Sequence, residues 1–199
     1  MIKFDKLNNE EPYAVFKKKY DISIDLGQKN IEAVCISSFS KNTNEVNSRF
    51  VNLKYIINDK FIFFSNYNSQ KAQDFESHRQ ISAALYWDVS NIQIRMKATV
   101  KKTSKVFNNN YFKKRDLKKN ALAISSIQSA TIKSYADAEK KYKKSLKNDR
   151  LDKCPDYWGG YSFTPYYFEF WDGHESRLNR REVYELDIKG LWRHKILQP

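Results

Sequence analysis

Glycine is scarce in this 199-residue chain, with only Gly27, Gly159, Gly160, Gly173 and Gly190. Their spacing accommodates neither a G-x-G-x-x-G dinucleotide loop nor a G-x-x-x-x-G-K phosphate loop. A G-x-S-x-G nucleophile elbow is excluded in the same way. The two cysteines, Cys35 and Cys154, lie far apart and outside any C-x-x-C pair. They are read as ordinary thiols, with neither a disulfide framework nor a zinc site. The three histidines, His78, His174 and His194, form no H-E-x-x-H pattern, so no metal is expected. No apolar run reaches membrane length, and the opening MIKFDKLNNEEPYAVFKKKY lacks an apolar signal core. These absences lead us to expect a cytoplasmic chain without a membrane partner.

What is present is enough for a core. Hydrophobic residues make up 41% and aromatics 15%, too many for a disordered chain. The length fits one domain, and no internal repeat or low-complexity linker divides it. The net charge of +13 favours anionic partners, from nucleic acid to phosphorylated small molecules. Much of it lies in the lysine-rich stretches 113–119 and 140–147, which read as solvated helix faces.

Along the chain, Glu11-Pro12 followed by YAVFKKKY reads as a helix entered through proline, an N-terminal appendage over about 1–28. Strands are expected at 31–37, 48–57, 61–65 and 81–87, with a polar turn over 40–47 and a helix over 72–78. The clearest pattern is 93–100, where Ile94, Met96, Ala98 and Val100 alternate with Gln93, Arg95, Lys97 and Thr99. That is the period of a half-buried strand. Helices are expected at 108–117, 121–128 and 134–148, the last capped by Ser134 and Asp137. Strands resume at 161–163, 167–171, 181–188 and 191–197. Strands at both ends with helices between them predict an α+β fold on an antiparallel sheet, plausible as a closed barrel.

The closing stretch, about 155–199, combines Trp158-Gly159-Gly160, an aromatic run to Trp171, and then Arg177, Arg180 and Arg181. Such a cluster suits a flat, anionic ligand. Phosphate- and ring-binding residue types are also spread over the earlier strands: Arg49, Lys54, Ser65, Lys71, Gln93, Gln128 and Ser129. Cationic side chains hold phosphate, glutamine matches a heterocycle edge, and tryptophan covers a ring face.

In order, Arg49-Phe-Val-Asn-Leu-Lys54, Phe64-Ser65-Asn66, Ser69-Gln70-Lys71, Gln93, Tyr111-Phe112 with Arg115, and Gln128-Ser129 are followed by Trp158-Gly-Gly-Tyr161, Glu169-Phe170-Trp171, Arg177-Leu178 through Arg181, and Ile196-Leu197-Gln198-Pro199. This series resembles the pyridoxamine (pyridoxine) 5′-phosphate oxidase family over nearly the whole chain. The resemblance implies a homodimer of split β-barrels with peripheral helices and FMN at the subunit interface. It implies FMN contacts from Arg49, Val51, Lys54, Phe64, Ser65, Lys71, Gln93, Gln128, Ser129, Trp171 and Arg181. Lys54, Tyr111, Arg115 and Arg177 would hold a phosphorylated B6 vitamer, with Arg177 fixing the reacting carbon. The implied reaction oxidises pyridoxine or pyridoxamine 5′-phosphate to pyridoxal 5′-phosphate and reduces O2 to hydrogen peroxide.

Three positions depart from the family pattern. Asn179 replaces a histidine, Lys119 a serine and Gln70 an arginine. Asn179 hydrogen-bonds but carries no proton at physiological pH. It therefore leaves open a split-barrel oxidase with another substrate, such as those of phenazine pathways. A third reading, a basic nucleic-acid-binding domain, accounts for the lysine runs but not for the ordered motifs; no nucleic-acid partner is expected.

Overall fold

The computed structural model describes residues 1–199. Its elements run β1 (Lys3–Asp5), α1 (Glu11–Asp25), β2 (Ala33–Ser40), β3 (Glu45–Asn52), β4 (Tyr55–Ile57), β5 (Lys60–Asn66), α2 (Gln70–Ser77), β6 (Gln80–Trp87) and β7 (Ile92–Lys102). They continue with α3 (Lys105–Lys114), α4 (Leu117–Ser125), α5 (Tyr135–Asn148), β8 (Trp158–Asp172), β9 (Arg180–Leu186) and β10 (Trp192–Leu197). The expected α+β class holds. One sheet has the order β1-β4-β5-β8-β7-β6-β2-β3, with β9 added to β8 and β10 to β9. Every pairing is antiparallel except β1 with β4.

β7 fulfils its sequence pattern: Ile92, Ile94, Met96, Ala98 and Val100 are buried, whereas the intervening side chains reach the surface. β8 is its neighbour along the whole length and the longest strand. Two short strands, 161–163 and 167–171, are expected there from the sequence. The chain instead continues through a register shift between Lys97 and Ala98, where Tyr166 is the extra residue on β8. Proline is tolerated at such a bulge. Core-facing side chains change parity across it, from Tyr161 and Phe163 to Phe168 and Phe170.

Several boundaries differ from expectation. The turn expected over 40–47 narrows to 41–44, because β2 and β3 pair as far as Ser40 and Glu45. The strand expected over 48–57 breaks at Leu53-Lys54, where the backbone leaves β2 and turns to pair with β5. In the middle, the side chain of Asp116 caps α4 by accepting from the Lys119 N–H, and this separates α3 from α4. α4 then ends at Ser125, so Gln128 lies in a loop rather than a helix. α5 begins as expected, with the Ser134 hydroxyl accepting the Asp137 N–H at 3.1 Å.

α1 is more than an appendage. Pro12 sits in its first turn, and Tyr13, Phe16 and Tyr20 recur at helical spacing on one buried face. Phe16 packs edge-on against Phe61 and Trp87, and Tyr13 against Phe168 and Trp192. Burying each ring contributes roughly 2–3 kcal/mol. The helix thus closes the end of the core between β5, β6 and β8.

Candidate active site

A cleft of about 670 Å3 opens where β3, β4 and β5 meet α3, α4 and the start of β8. Its apolar wall is a stack of rings. Phe64 of β5 lies 3.7 Å from Tyr111 of α3 at an interplanar angle of 7°, and Trp158 of β8 stacks on Phe64 at 5.2 Å. The Arg115 guanidinium covers Trp158 at 5.0 Å. The wall depends on close approach behind it. The Asn108 carbonyl oxygen accepts the Gly160 N–H at 2.9 Å, and the Asn108 amide donates to the Tyr67 hydroxyl at 2.9 Å. A Cβ at Gly159 would lie 2.1 Å from that hydroxyl and 2.3 Å from the Asn108 amide nitrogen, so any side chain there pushes α3 away.

Six basic residues line the cleft, Lys3, Lys54, Lys71, Lys114, Arg115 and Lys119, with Asp116 the single carboxylate. Lys71, in the first turn of α2, is buried and donates to the hydroxyls of Ser65 and Ser69, each at 3.2 Å. Burial, with the nearby Arg49 charge adding to it and Asp74 opposing it, lowers its pKa to about 8. Lys54 is lowered too, first by burial and then by the Lys119 and Arg115 charges, against the pull of Glu32. Burial also lowers Arg115, although Tyr111 and Asp116 oppose the shift. Cations crowded into a partly dehydrated cleft lack the negative charge that would stabilise them, and an anionic ligand supplies it.

The other end of β8 is built differently. Gln93 of β7 pairs across the strands with Trp171, and Trp171 with Arg181 of β9. Glu169, 2% exposed, accepts from Arg181 Nε and Nη2 at 3.0 and 2.8 Å, from Arg95 at 3.0 Å and from the Tyr167 hydroxyl at 3.0 Å. Burial by itself raises its carboxyl, but Arg181, Tyr167 and Arg95 outweigh burial and hold it below the usual range. Here Arg95 and Arg181 are already neutralised.

The residues singled out from the sequence fall into these two places. Val51, Lys54, Phe64, Ser65, Lys71, Tyr111, Arg115 and Gln128 line the cleft. Gln128 accepts from the Ser65 hydroxyl at 3.3 Å, and the Ser129 hydroxyl accepts from the Gln70 N–H at 3.5 Å, which ties that loop to the start of α2. Arg49 stands behind the wall, bonded to the Ser38 hydroxyl at 2.6 Å and to the fully buried Asp74 at 3.3 Å. Gln93, Trp171 and Arg181 occupy the far end of β8, followed by Arg177 in the exposed loop before β9. Gly160 and Trp171 are separated by roughly 35 Å of strand at ~3.3 Å per residue, so one chain does not unite the two groups.

Lys3, Lys114 and Trp158 also line the cleft without having been selected as ligand residues. Lys114 was detectable, since it follows Tyr111 by three positions on α3 and so shares its face. Lys3 was not, because a three-residue strand such as β1 carries too short a pattern to recognise.

Comparisons with known proteins agree with this architecture. Residues 158–199 match the pyridoxine 5′-phosphate oxidase C-terminal dimerisation region. The chain is 31% identical to a pyridoxine/pyridoxamine 5′-phosphate oxidase of Herminiimonas arsenicoxydans over 95% of this chain and 90% of that one. It is 33% identical to the enzyme of that name from Leptospira biflexa, over 88% and 83% of the two chains. Among solved structures, PhzG from Burkholderia lata, crystallised with tetrahydrophenazine-1-carboxylic acid, matches with a TM-score of 0.87 at 22% identity, covering 95% and 93%. A pyridoxamine 5′-phosphate oxidase-related, FMN-binding protein from Nostoc punctiforme matches at 0.79 and 10% identity, covering 96% and 99%. The fold is therefore the split β-barrel of these proteins, and the chain belongs to the pyridoxine/pyridoxamine 5′-phosphate oxidase family.

Proposed function

We propose that this chain is an FMN-dependent oxidase that converts pyridoxine or pyridoxamine 5′-phosphate to pyridoxal 5′-phosphate, acting as a homodimer. The observation that carries the proposal is the cleft's excess of unpaired positive charge around a flat aromatic wall. A buried ammonium at Lys71, bonded only to serine hydroxyls, fits a phosphate that supplies the missing charge. At the rim, Lys54, Arg115 and Lys119 offer a second cationic group beside the Tyr111 ring. A phosphorylated cofactor and a phosphorylated substrate would together satisfy both.

In this reading Lys71, Ser65, Gln128 and Ser129 hold the flavin, with Val51 and Phe64 against it and Arg49 bracing the first turn of α2 through Asp74. Lys54, Tyr111 and Arg115 hold the substrate phosphate. Gln93, Trp171 and Arg181 lie too far along β8 to serve the same cleft, so we assign them to the cleft of a second copy. The match of residues 158–199 to a dimerisation region supports that assignment. Arg177, with no carboxylate partner in this chain, is assigned to the substrate.

FMN held by these residues would supply the redox chemistry, that of a two-electron acceptor which O2 reoxidises. The protein's part is to neutralise two phosphates and hold the two rings together. That division of labour is consistent with the lack of a catalytic triad or metal motif.

The test starts with the visible spectrum of the purified protein, which should show bound flavin, and continues with oxygen uptake on adding each vitamer phosphate. Flavin-loaded protein that oxidises neither vitamer would sink the substrate assignment. A colourless protein that does not take up FMN would sink the cofactor.

A further inference from the structure

The loop between β8 and β9 holds Arg177 in a left-handed conformation, φ +62°, which is uncommon for a residue with a side chain. Such a conformation persists only where surrounding bonds hold it. At the base, the Gly173 N–H donates to the Asn91 carbonyl at 2.9 Å, and a Cβ on Gly173 would lie 2.0 Å from the Asn91 amide nitrogen. Inside the loop, the Arg177 N–H donates to the His174 carbonyl at 2.9 Å, and the Ser176 N–H to His174 Nδ1 at 3.2 Å. Across the loop, Asn179 Oδ1 accepts the His174 N–H at 3.0 Å. That last bond is the one side-chain hydrogen bond joining the two arms of the loop on either side of Arg177.

The three arginines of this segment have different surroundings. Arg180 is paired with Glu182 and Arg181 with Glu169, whereas Arg177 is exposed and has no carboxylate partner. The loop therefore presents a single uncommitted guanidinium, on a backbone fixed by its own hydrogen bonds.

We propose that Asn179 is a positioning residue: its side-chain carbonyl clips the loop closed and so holds Arg177 in the conformation from which it reaches substrate. The role of Arg177 rests on the proposed function, but the clip itself does not. Asn179 turns inward to the backbone and acts through Arg177. An acceptor is all that the position requires, so aspartate should replace asparagine and leucine, of similar size without an acceptor, should not.

The experiment compares full-length, flavin-loaded Asn179→Asp and Asn179→Leu with the unmodified protein. Amide hydrogen exchange at His174 should be slow in the unmodified protein and in Asn179→Asp, and at least about tenfold faster in Asn179→Leu, as expected for loss of about 1.4 kcal/mol of protection. In Asn179→Leu, kcat/KM for pyridoxine 5′-phosphate should fall about tenfold at unchanged flavin content, and Asn179→Asp should restore most of it. Affinity for pyridoxal 5′-phosphate, titrated on the same proteins, should follow the same order. Unchanged exchange in Asn179→Leu overturns the clip. Faster exchange with turnover and affinity both unchanged overturns its positioning role. If the unmodified protein oxidises neither vitamer, the substrate assignment fails, while exchange and pyridoxal 5′-phosphate affinity still decide the inference.

Discussion

The two ends of β8 hold similar side chains in opposite electrostatic states. At the Trp158 end, basic residues crowd a cleft with almost no carboxylate, and burial lowers Lys54, Lys71 and Arg115. At the Trp171 end, one buried carboxylate, Glu169, gathers Arg95, Arg181 and Tyr167. A cation count treats the two ends alike. Their partners separate them: the first end lacks an anion, and the second already holds one.

That contrast can be broken at chosen points. The largest effect is expected from Gly159→Ala, whose methyl group collides with Tyr67 and Asn108 behind the cleft wall. Overpacking there should cost up to about 3 kcal/mol of stability, read by denaturant unfolding, and should displace Tyr111. Next, Lys71→Met should lower FMN affinity about 100-fold, the loss of one charge-assisted bond to phosphate at ~2.7 kcal/mol. The flavin-free protein should become no less stable, because an unpaired buried charge has been removed. Isothermal titration and thermal unfolding read the two signs separately.

At the other end the signs reverse. Glu169→Gln should destabilise the protein by about 2 kcal/mol, since Arg181 and Arg95 lose a common partner but still reach water. The folded-state pKa of Glu169 lies below its unfolded value. Its contribution is therefore present above the unfolded value and lost as pH falls through the folded one, so the variant should show a flatter acid limb.

The smallest effect is one of pH. Lys71 titrates near 8 in the free protein, and a bound phosphate favours its charged form. FMN affinity should fall about tenfold between pH 8 and 9.5, with proton uptake on binding that increases across that range. Over the interval from about 8 to the ordinary lysine value, the unfolded chain binds the extra proton, so the stability of the flavin-free protein should rise with pH. Affinity and stability that move in the same direction would contradict the assignment of Lys71.

The sequence revealed best what repeats along the chain. β7 was legible because one face is core and the other surface, and α5 because Ser134 caps it. Breaks were harder to see. The Leu53-Lys54 break follows from a change of pairing partner, which no local pattern records, and the expected strands at 161–163 and 167–171 join through a bulge that only the pairing with β7 reveals. Family resemblance, rather than composition, picked out the cleft residues, because a lone Lys71 or Gln128 is indistinguishable from any surface residue. Resemblance could not show which arginines were already spent on Glu169, since that depends on pairing between β7, β8 and β9.

The extra residue at Tyr166 also acts on β8 as a frameshift acts on a coding strand. Trp158 and Trp171 lie an odd number of positions apart, so an uninterrupted strand would point them to opposite faces. The insertion restores them to the same face, the one that carries Gly160 opposite Phe64 and Trp171 opposite Gln93. Deleting Tyr166 would leave both tryptophans in the sequence and every motif readable, yet turn one end of the strand inside out. The spelling of the two half-sites is local, but their shared orientation is carried by one unpaired residue between them.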